Sequence, residues 1–134
     1  MSRIAPQGVL RQREPRVRDK PYLAWLHDGL PCIGCLRATG ASHNRNIEAA
    51  HIKLAIASRG WEEGGRGVRT HDRRCVPLCS YCHRLAPDAC DVNQRHFFDR
   101  IGLGDAVADF AEDLYSAFQR GQDGAAVVRR WARR

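Results

Sequence analysis

Two pairs of cysteines with the spacing C-x-x-C are the residues of this chain best suited to metal chemistry. The pairs are Cys32 with Cys35 and Cys79 with Cys82. Each pair can turn two thiolate sulfurs toward one point, and four thiolates are the ligand set of a closed zinc site. The spacing therefore predicts one zinc ion shared by both pairs. Because four thiolates leave no position for water or substrate, the predicted role of this ion is structural.

Two further cysteines, Cys75 and Cys90, lie outside these pairs. Cys75 precedes Cys79 by four residues and is an alternative ligand in its place, whereas the simpler interpretation makes both extra cysteines buried, small apolar side chains. No β-α-β pattern surrounds the pairs, which disfavours a redox role. A zinc ribbon is disfavoured because its pairs lie about 15–20 residues apart, and the separation here is more than twice as long.

Two histidines stand next to these pairs in the sequence. His51 ends the strand-like segment Glu48-Ala49-Ala50, and His83 directly follows the last paired cysteine. An imidazole with a pKa near 6.5 can exchange a proton at neutral pH or bind a metal through a ring nitrogen. The other histidines considered, His43 and His71, lie in polar loops, and exposed positions are expected for them.

Short segments must position these residues. Residues 22–26 are apolar and predict a short helix or a strand, and residues 47–57 predict a strand that passes into a helical turn. Gly34, inside the first cysteine pair, predicts a tight turn with positive φ. Residues 59–74 are rich in glycine and arginine and predict a flexible loop.

The C-terminal half predicts mainly helices. A short helix is expected from near His83 to just before Pro87, and the helical pattern resumes after Asp91 and breaks at residues 102–104. Asp105 is predicted to cap the next helix. The apolar side of that helix repeats at helical spacing and consists of Val107, Phe110, Ala111, Leu114 and Phe118.

The composition favours a folded protein with a polyanionic partner. The formal net charge is +7, with 22 Lys and Arg against 15 Asp and Glu, and arginine binds phosphate oxygens well. Six cysteines favour metal binding over disulfides in a reducing compartment. No apolar run is long enough to span a membrane and no signal-like segment begins the chain, so a cytoplasmic location is expected.

Three sequence motifs together resemble those of a known nuclease family. The motifs are CIGC at 32–35, EAAHI at 48–52 and VPLCSYCH at 76–83. This combination resembles the HNH endonucleases of the His-Me finger (ββα-metal) superfamily. The longer form, AAHI at 49–52, HDRRCVPLCSYCHR at 71–84 and FFDRIGL at 97–103, resembles the phage and bacterial branch related to the RecA-dependent nuclease Ref. The resemblance spans about residues 22–103. It implies a small α+β fold, in which a β-hairpin and a helix clasp a catalytic ion and the two-knuckle, four-cysteine zinc site holds the base.

The resemblance also implies residue roles. His51 matches the general base, and His83 matches a ligand of a catalytic divalent ion, with Mg²⁺ or Mn²⁺ expected. Ala50 replaces a frequent metal ligand, and the central Asn of the family is absent, so Asp72 or the backbone is expected to orient His51. The remaining candidates are Asp91 and His96 as further ligands of the catalytic ion and Arg66, Arg69, Arg73 and Arg74 as DNA-binding residues.

The resulting hypothesis is a metal-dependent HNH endonuclease that hydrolyses DNA phosphodiester bonds with low sequence specificity. The chain is divided into a basic flexible arm at 1–20, a nuclease core at 21–103 and a helical extension at 104–134. DNA is the expected partner, with a recombination or phage packaging protein as a second one. The alternatives are a non-catalytic zinc-stabilised DNA-binding module and a recombination accessory protein that docks its partner through the helix at 105–118.

Overall fold

The computed structural model describes residues 17–42, 45–62 and 70–134. Most of the predicted basic arm, with residues 43–44 and 63–69, lies outside this part. The regular elements are α1 (Lys20–His27), α2 (Ile33–Thr39), β1 (Ile47–His51), β2 (Cys75–Cys79), α3 (Gln94–Arg100), α4 (Val107–Gln119) and α5 (Gly124–Ala132). Three short turns join them: 3₁₀ turns at Ala57–Arg59 and Gly104–Ala106 and a π-helical turn at Tyr81–Leu85.

The two strands form an antiparallel pair, with Ile47 opposite Cys79 and His51 opposite Cys75. All five residues of β2 are buried, as expected for a strand covered on both sides. The described chain is therefore a mixed α+β structure with one two-stranded sheet and helices, which confirms the predicted fold class at that level.

α1 settles the helix-or-strand alternative for residues 22–26. Its N-terminus is capped by Asp19, whose side chain accepts a hydrogen bond from the Tyr22 N–H, satisfying one of the free amides of the first turn. The Tyr22 ring is fully buried and meets the Tyr115 ring edge-on at 4.9 Å between centroids. The aromatic contact fixes α1 against α4.

α4 carries the apolar stripe read from the sequence, with Val107, Phe110, Ala111 and Leu114 buried. The predicted cap at Asp105 is wrong. Its carboxylate accepts from Arg95 Nη1 at 2.7 Å, and α4 instead continues from the 3₁₀ turn that precedes it without a side-chain cap.

One arginine links the C-terminal ends of two helices. Arg37 of α2 donates to the carbonyl oxygens of Ile101 (2.5 Å), Gly102 (3.2 Å) and Trp131 (2.6 Å). Carbonyls at helix ends lack partners within their own helix, so one guanidinium satisfies the ends of α3 and α5 together. No described helix is long and apolar enough to cross a membrane.

Candidate metal centre and histidine clusters

The four paired cysteines come together in the structure. The Sγ atoms of Cys32, Cys35, Cys79 and Cys82 all lie within 4.8 Å of one another, and Cys35 Sγ is 3.8 Å from both Cys79 Sγ and Cys82 Sγ. A regular tetrahedron with metal–sulfur bonds of about 2.3 Å has edges of about 3.8 Å. The cluster can therefore hold a structural metal such as zinc in the predicted ligand set.

Local backbone geometry aims the sulfurs. Cys32 is the N-cap residue of α2, and its Sγ accepts from the Cys35 N–H at 3.4 Å. At the end of β2, Cys79 Sγ accepts from the Cys82 N–H at 3.5 Å. The two C-x-x-C segments thus use the same contact, and an N–H directed at sulfur favours the thiolate form that a metal requires.

Gly34 serves this cluster in a different way from the predicted one. It belongs to α2 and is not among the residues with positive φ. A Cβ at this position would lie 3.1 Å from Cys82 Sγ and 3.0 Å from Phe97 Cζ. Glycine is needed because the second cysteine pair approaches the helix closely, and no turn is involved.

The thiols influence one another's ionisation. The Cys82 thiol, hydrogen-bonded to Cys32, lowers the pKa of Cys32 to about 5. Burial and the neighbouring thiolate charge raise the pKa of Cys35 to about 12, and the bond to Cys32 together with burial raises the pKa of Cys82. The raised pKa values mean that several of these thiols do not ionise together in the absence of a cation. A bound thiophilic dication would stabilise the thiolate forms.

The two remaining cysteines are separate from the cluster. Cys75 stands at the opposite end of β2 from Cys79, and its carbonyl oxygen is 3.4 Å from the Tyr22 hydroxyl. Cys90 is fully buried, and burial raises the pKa of its thiol. Both are buried small side chains, as the simpler interpretation held, and Cys79 rather than Cys75 belongs to the four-cysteine group.

His51 is paired with a buried carboxylate. Its Nε2 lies 2.9 Å from Asp72 Oδ1, and the Asp72 residue is 1% exposed whereas the His51 side chain is 16% exposed. Asp72 Oδ2 accepts from the Asp19 N–H at 2.7 Å. Asp72 and the backbone were the two groups expected to orient His51, and the structure places Asp72 beside it. The Asp19 backbone, just before α1, holds the Asp72 carboxylate in place.

The backbone around His51 is fastened to α3 by Gln94. The Gln94 amide donates to the His51 carbonyl at 2.8 Å and accepts from the Lys53 N–H at 2.8 Å. No motif or spacing in the sequence marks Gln94. Its two partners are backbone groups 41 and 43 residues earlier in the chain, so the residues next to it give no indication of this role.

His83 lies between two carboxylates. Its Nδ1 is 2.7 Å from Glu48 Oε1 and its Nε2 is 3.4 Å from Asp91 Oδ1. Glu48 also accepts from Arg84, and the bonds from Arg84 and His83 hold the pKa of Glu48 below its ordinary value. Glu48 is a further candidate site residue that the sequence interpretation passed over. Its position within the strand that ends at His51 was the available signal.

His96 does not join this group. It lies in the first turn of α3, where its backbone N–H is bonded to the Asn93 side chain. Among the described residues, the four cysteines are the one set of three or more potential ligands whose donor atoms converge. The structure thus places His83 and Asp91 side by side but does not assemble the expected trio with His96.

The candidate DNA-binding arginines are only partly described. The Arg74 guanidinium stacks over the Trp61 ring at 4.6 Å, and Arg73 lines a cavity of about 240 Å³ with Trp61 and Tyr115. Arg66, Arg69 and His43 lie outside the described residues. His71 was expected to be exposed but is half-buried, because its Nδ1 accepts from the Val17 N–H.

No protein-family model, no curated protein and no solved structure matches this chain in comparisons with known proteins.

Proposed function

We propose that this protein is a metal-dependent endonuclease of the HNH type that hydrolyses phosphodiester bonds in DNA. The observation that carries the proposal is the pairing of His51, at the end of β1, with the buried carboxylate of Asp72 at 2.9 Å. A histidine held by a buried carboxylate has a defined orientation and a stabilised imidazolium form. Those are two properties that a general base requires.

The order of the elements supports the same proposal. An antiparallel hairpin, β1 and β2, is followed at once by the helical turn Tyr81–Leu85, which carries His83. This is the ββα order that the resemblance implies for a nuclease core. The four-cysteine cluster closes on the same turn through Cys82, so a structural ion would stiffen the segment that presents His83.

The proton at His51 can be assigned from its partner. An ionised carboxylate only accepts hydrogen bonds, so Asp72 takes the Nε2–H of His51, and neutral His51 then has its lone pair on Nδ1. In the proposed reaction Nδ1 accepts a proton from the attacking water. Asp72 stabilises the imidazolium that results, because its carboxylate remains hydrogen-bonded to Nε2.

The residues around His83 fit a divalent cation. Glu48 accepts from Nδ1–H of His83, which leaves the Nε2 lone pair directed toward Asp91 Oδ1 at 3.4 Å. Two ligand atoms that are each about 2.1 Å from one ion lie about 3.0–3.4 Å apart when the ligand–metal–ligand angle is between the octahedral and the tetrahedral value. The distance between His83 Nε2 and Asp91 Oδ1 falls at the upper end of this range. Metal-binding histidines usually donate their other N–H to a carboxylate, which is the position of Glu48. His83 and Asp91 would hold the ion.

When bound, such an ion stabilises the charge that develops on the scissile phosphate and on the leaving oxygen. The chain supplies the rest: Asp72 orients His51, Gln94 fixes the backbone at the end of β1, and Glu48 orients His83. Glu48, which contacts His83, and His51 project to opposite faces of β1, because their positions are an odd number of residues apart. The proposal therefore requires one phosphate to reach both His51 and His83 across the end of β1.

The second candidate function is a DNA-binding module without catalytic activity. Two observations favour it. Ala50 provides no metal ligand at the position before His51. Glu48, the residue that contacts His83, and His51 lie on opposite faces of β1, which separates the two histidines. Such a module would keep the zinc cluster and the positive charge but would not cleave DNA.

Plasmid nicking separates the two functions. Purified protein is incubated with supercoiled plasmid and Mg²⁺ or Mn²⁺, and open-circular product is measured beside DNA affinity. The nuclease proposal expects nicking by the wild-type protein and its loss in His83→Ala, with DNA affinity within about twofold of wild type. His96→Ala is the matched histidine change, and the structure predicts that it keeps the nicking rate. Binding without nicking under every divalent ion tested would favour the module.

A further inference from the structure

The C-terminal helix α5 has one apolar side and one arginine-rich side. Val127, Val128 and Trp131 are buried, and Asp123 caps the N-terminus by accepting from the Ala125 N–H. The arginine-rich side is exposed: Arg129 and Arg130 lie in the last turn of α5, and Arg133 and Arg134 directly follow the helix. These four arginines, named here the α5 arginine cluster, follow one another within six residues at the end of the helix.

Several exposed arginines elsewhere in the described chain have acidic partners. Arg59 contacts Asp109 and Glu112, Arg95 contacts Asp105 at 2.7 Å, and Arg100 contacts Asp88 at 3.2 Å. Within the described residues, no ion pair involves any member of the α5 arginine cluster. The nearby Asp113 carboxylate accepts from the Trp131 indole N–H at 2.8 Å.

Helix stabilisation does not explain four arginines here. One or two cations in a last turn interact favourably with the helix dipole. Arg129 and the C-cap residue Arg133 are four residues apart at the end of the helix, however, so they form a like-charged pair that repels. A segment that retains such repulsion is suited to a polyanion that neutralises it on binding.

The cluster is held rigidly on the domain. Arg37 Nη1 donates to the Trp131 carbonyl at 2.6 Å, and the Trp131 side chain is both buried and bonded to Asp113. α2, which carries Arg37, also carries the thiol of Cys35. The positions of the four arginines are therefore tied to the same helix that builds the metal centre.

We infer that the α5 arginine cluster is a contact surface for the phosphate backbone of double-stranded DNA. Arg129 and the C-cap residue Arg133 are about 6 Å apart along the helix axis, a length over which one DNA strand presents about two phosphates. Guanidinium groups bind phosphate oxygens through paired N–H donors. The contact gives affinity without base recognition, because phosphates carry no sequence information. This inference rests on the proposed function for its choice of DNA as the partner.

The test is the salt dependence of binding to a fluorescent DNA duplex, measured by anisotropy without added divalent ion. The test variant changes Arg129, Arg130 and Arg133 to Gln, and leaves Arg134 on the Trp131 ring. If each contact contributes about 0.9 to the slope of log affinity against log salt, the slope falls by about 2–3. At about 0.15 M salt the affinity then weakens on the order of 100-fold.

The control variant removes the same charge elsewhere, by changing Arg59, Arg95 and Arg100 to Gln. Charges farther than about 8 Å from the phosphates are screened at this salt concentration, so less than about tenfold weakening is expected. Thermal unfolding verifies that both variants fold, since Gln and Arg have similar helix propensities.

Three results would overturn the inference: an unchanged slope in the test variant, an equal loss in the control variant, or no binding of duplex DNA by the wild-type protein. Binding to vesicles with anionic lipids that is lost in the test variant, while DNA binding persists, would likewise assign the cluster to a membrane surface. A protein that binds DNA through this cluster but cleaves nothing would instead contradict the proposed nuclease activity and leave this inference standing.

Discussion

Replacing Cys79 by Ala removes one of four sulfurs whose mutual distances match a tetrahedral metal site. Cys79 Sγ is 3.8 Å from Cys35 Sγ, and the residue is 3% exposed. Structural zinc sites contribute about 10–16 kcal/mol of apparent binding free energy in small peptides. One ligand in four corresponds to roughly 2.5–4 kcal/mol, a large fraction of the about 5–15 kcal/mol that stabilises a typical domain.

The assay measures zinc per chain by elemental analysis and thermal unfolding by circular dichroism. A loss of about 3 kcal/mol lowers Tm by about 10 °C for a domain of this size. We therefore expect Cys79→Ala to lose stoichiometric zinc and to unfold about 10 °C or more below the wild-type protein. Loss of the whole ion would increase the shift, because the remaining thiols would then be buried without a cation.

Two matched changes control for the loss of a buried sulfur. Cys75→Ala and Cys90→Ala remove the same atom from buried positions outside the cluster, and each is expected to keep one zinc per chain and to cost about 1 kcal/mol. The reasoning is refuted if Cys79→Ala retains its zinc and its Tm. It is equally refuted if Cys75→Ala loses the metal.

Three other changes have defined outcomes. Gly34→Ala places a methyl group 3.1 Å from Cys82 Sγ, so chemical denaturation of the zinc form should show a loss of about 1–3 kcal/mol. Glu48→Gln removes a carboxylate whose pKa is lowered in the fold. The substitution should lower the free energy of unfolding by about 1 kcal/mol or less. Denaturation at several pH values should show this loss above pH 4.5 and should show it disappear as the pH falls below that value. Arg37→Met should lower the unfolding free energy by about 1–3 kcal/mol, whereas an unchanged midpoint would contradict its bridging role.

The metal centre was predictable because its information is local. A C-x-x-C segment forms its own turn, and the Cys32 and Cys79 sulfurs accept from amides three residues later in the same segment. The apolar stripe of α4 was readable for a similar reason, since helical periodicity is written along one stretch of sequence. The strand predicted to begin at Ile47 is shorter than expected, because β1 ends at His51 and the helical turn begins only at Ala57.

The surroundings of the histidines depended on contacts that the sequence does not display. Glu48 reaches His83 across 35 positions, a separation that follows no periodic pattern. Asp72, 21 positions from His51, was expected beside it only through the family resemblance. The function of Gly34 was misread for the same reason: the atoms that exclude a side chain there belong to Phe97 and Cys82, both distant in the sequence. Asp105 had the expected type for a cap, but Arg95 competes for its carboxylate.

The proposed role of His51 is tested most directly by the initial rate of plasmid nicking in Mn²⁺ by the wild-type protein and by His51→Ala. Loss of a general base costs about 10²–10⁴-fold in rate. We predict a decrease in that range with zinc content and DNA affinity unchanged, because His51 lies outside the metal centre; Tm falls, because the buried Asp72 carboxylate loses its hydrogen bond to His51. Equal rates for the two proteins, or no nicking by the wild-type protein with any divalent ion, would contradict the proposal.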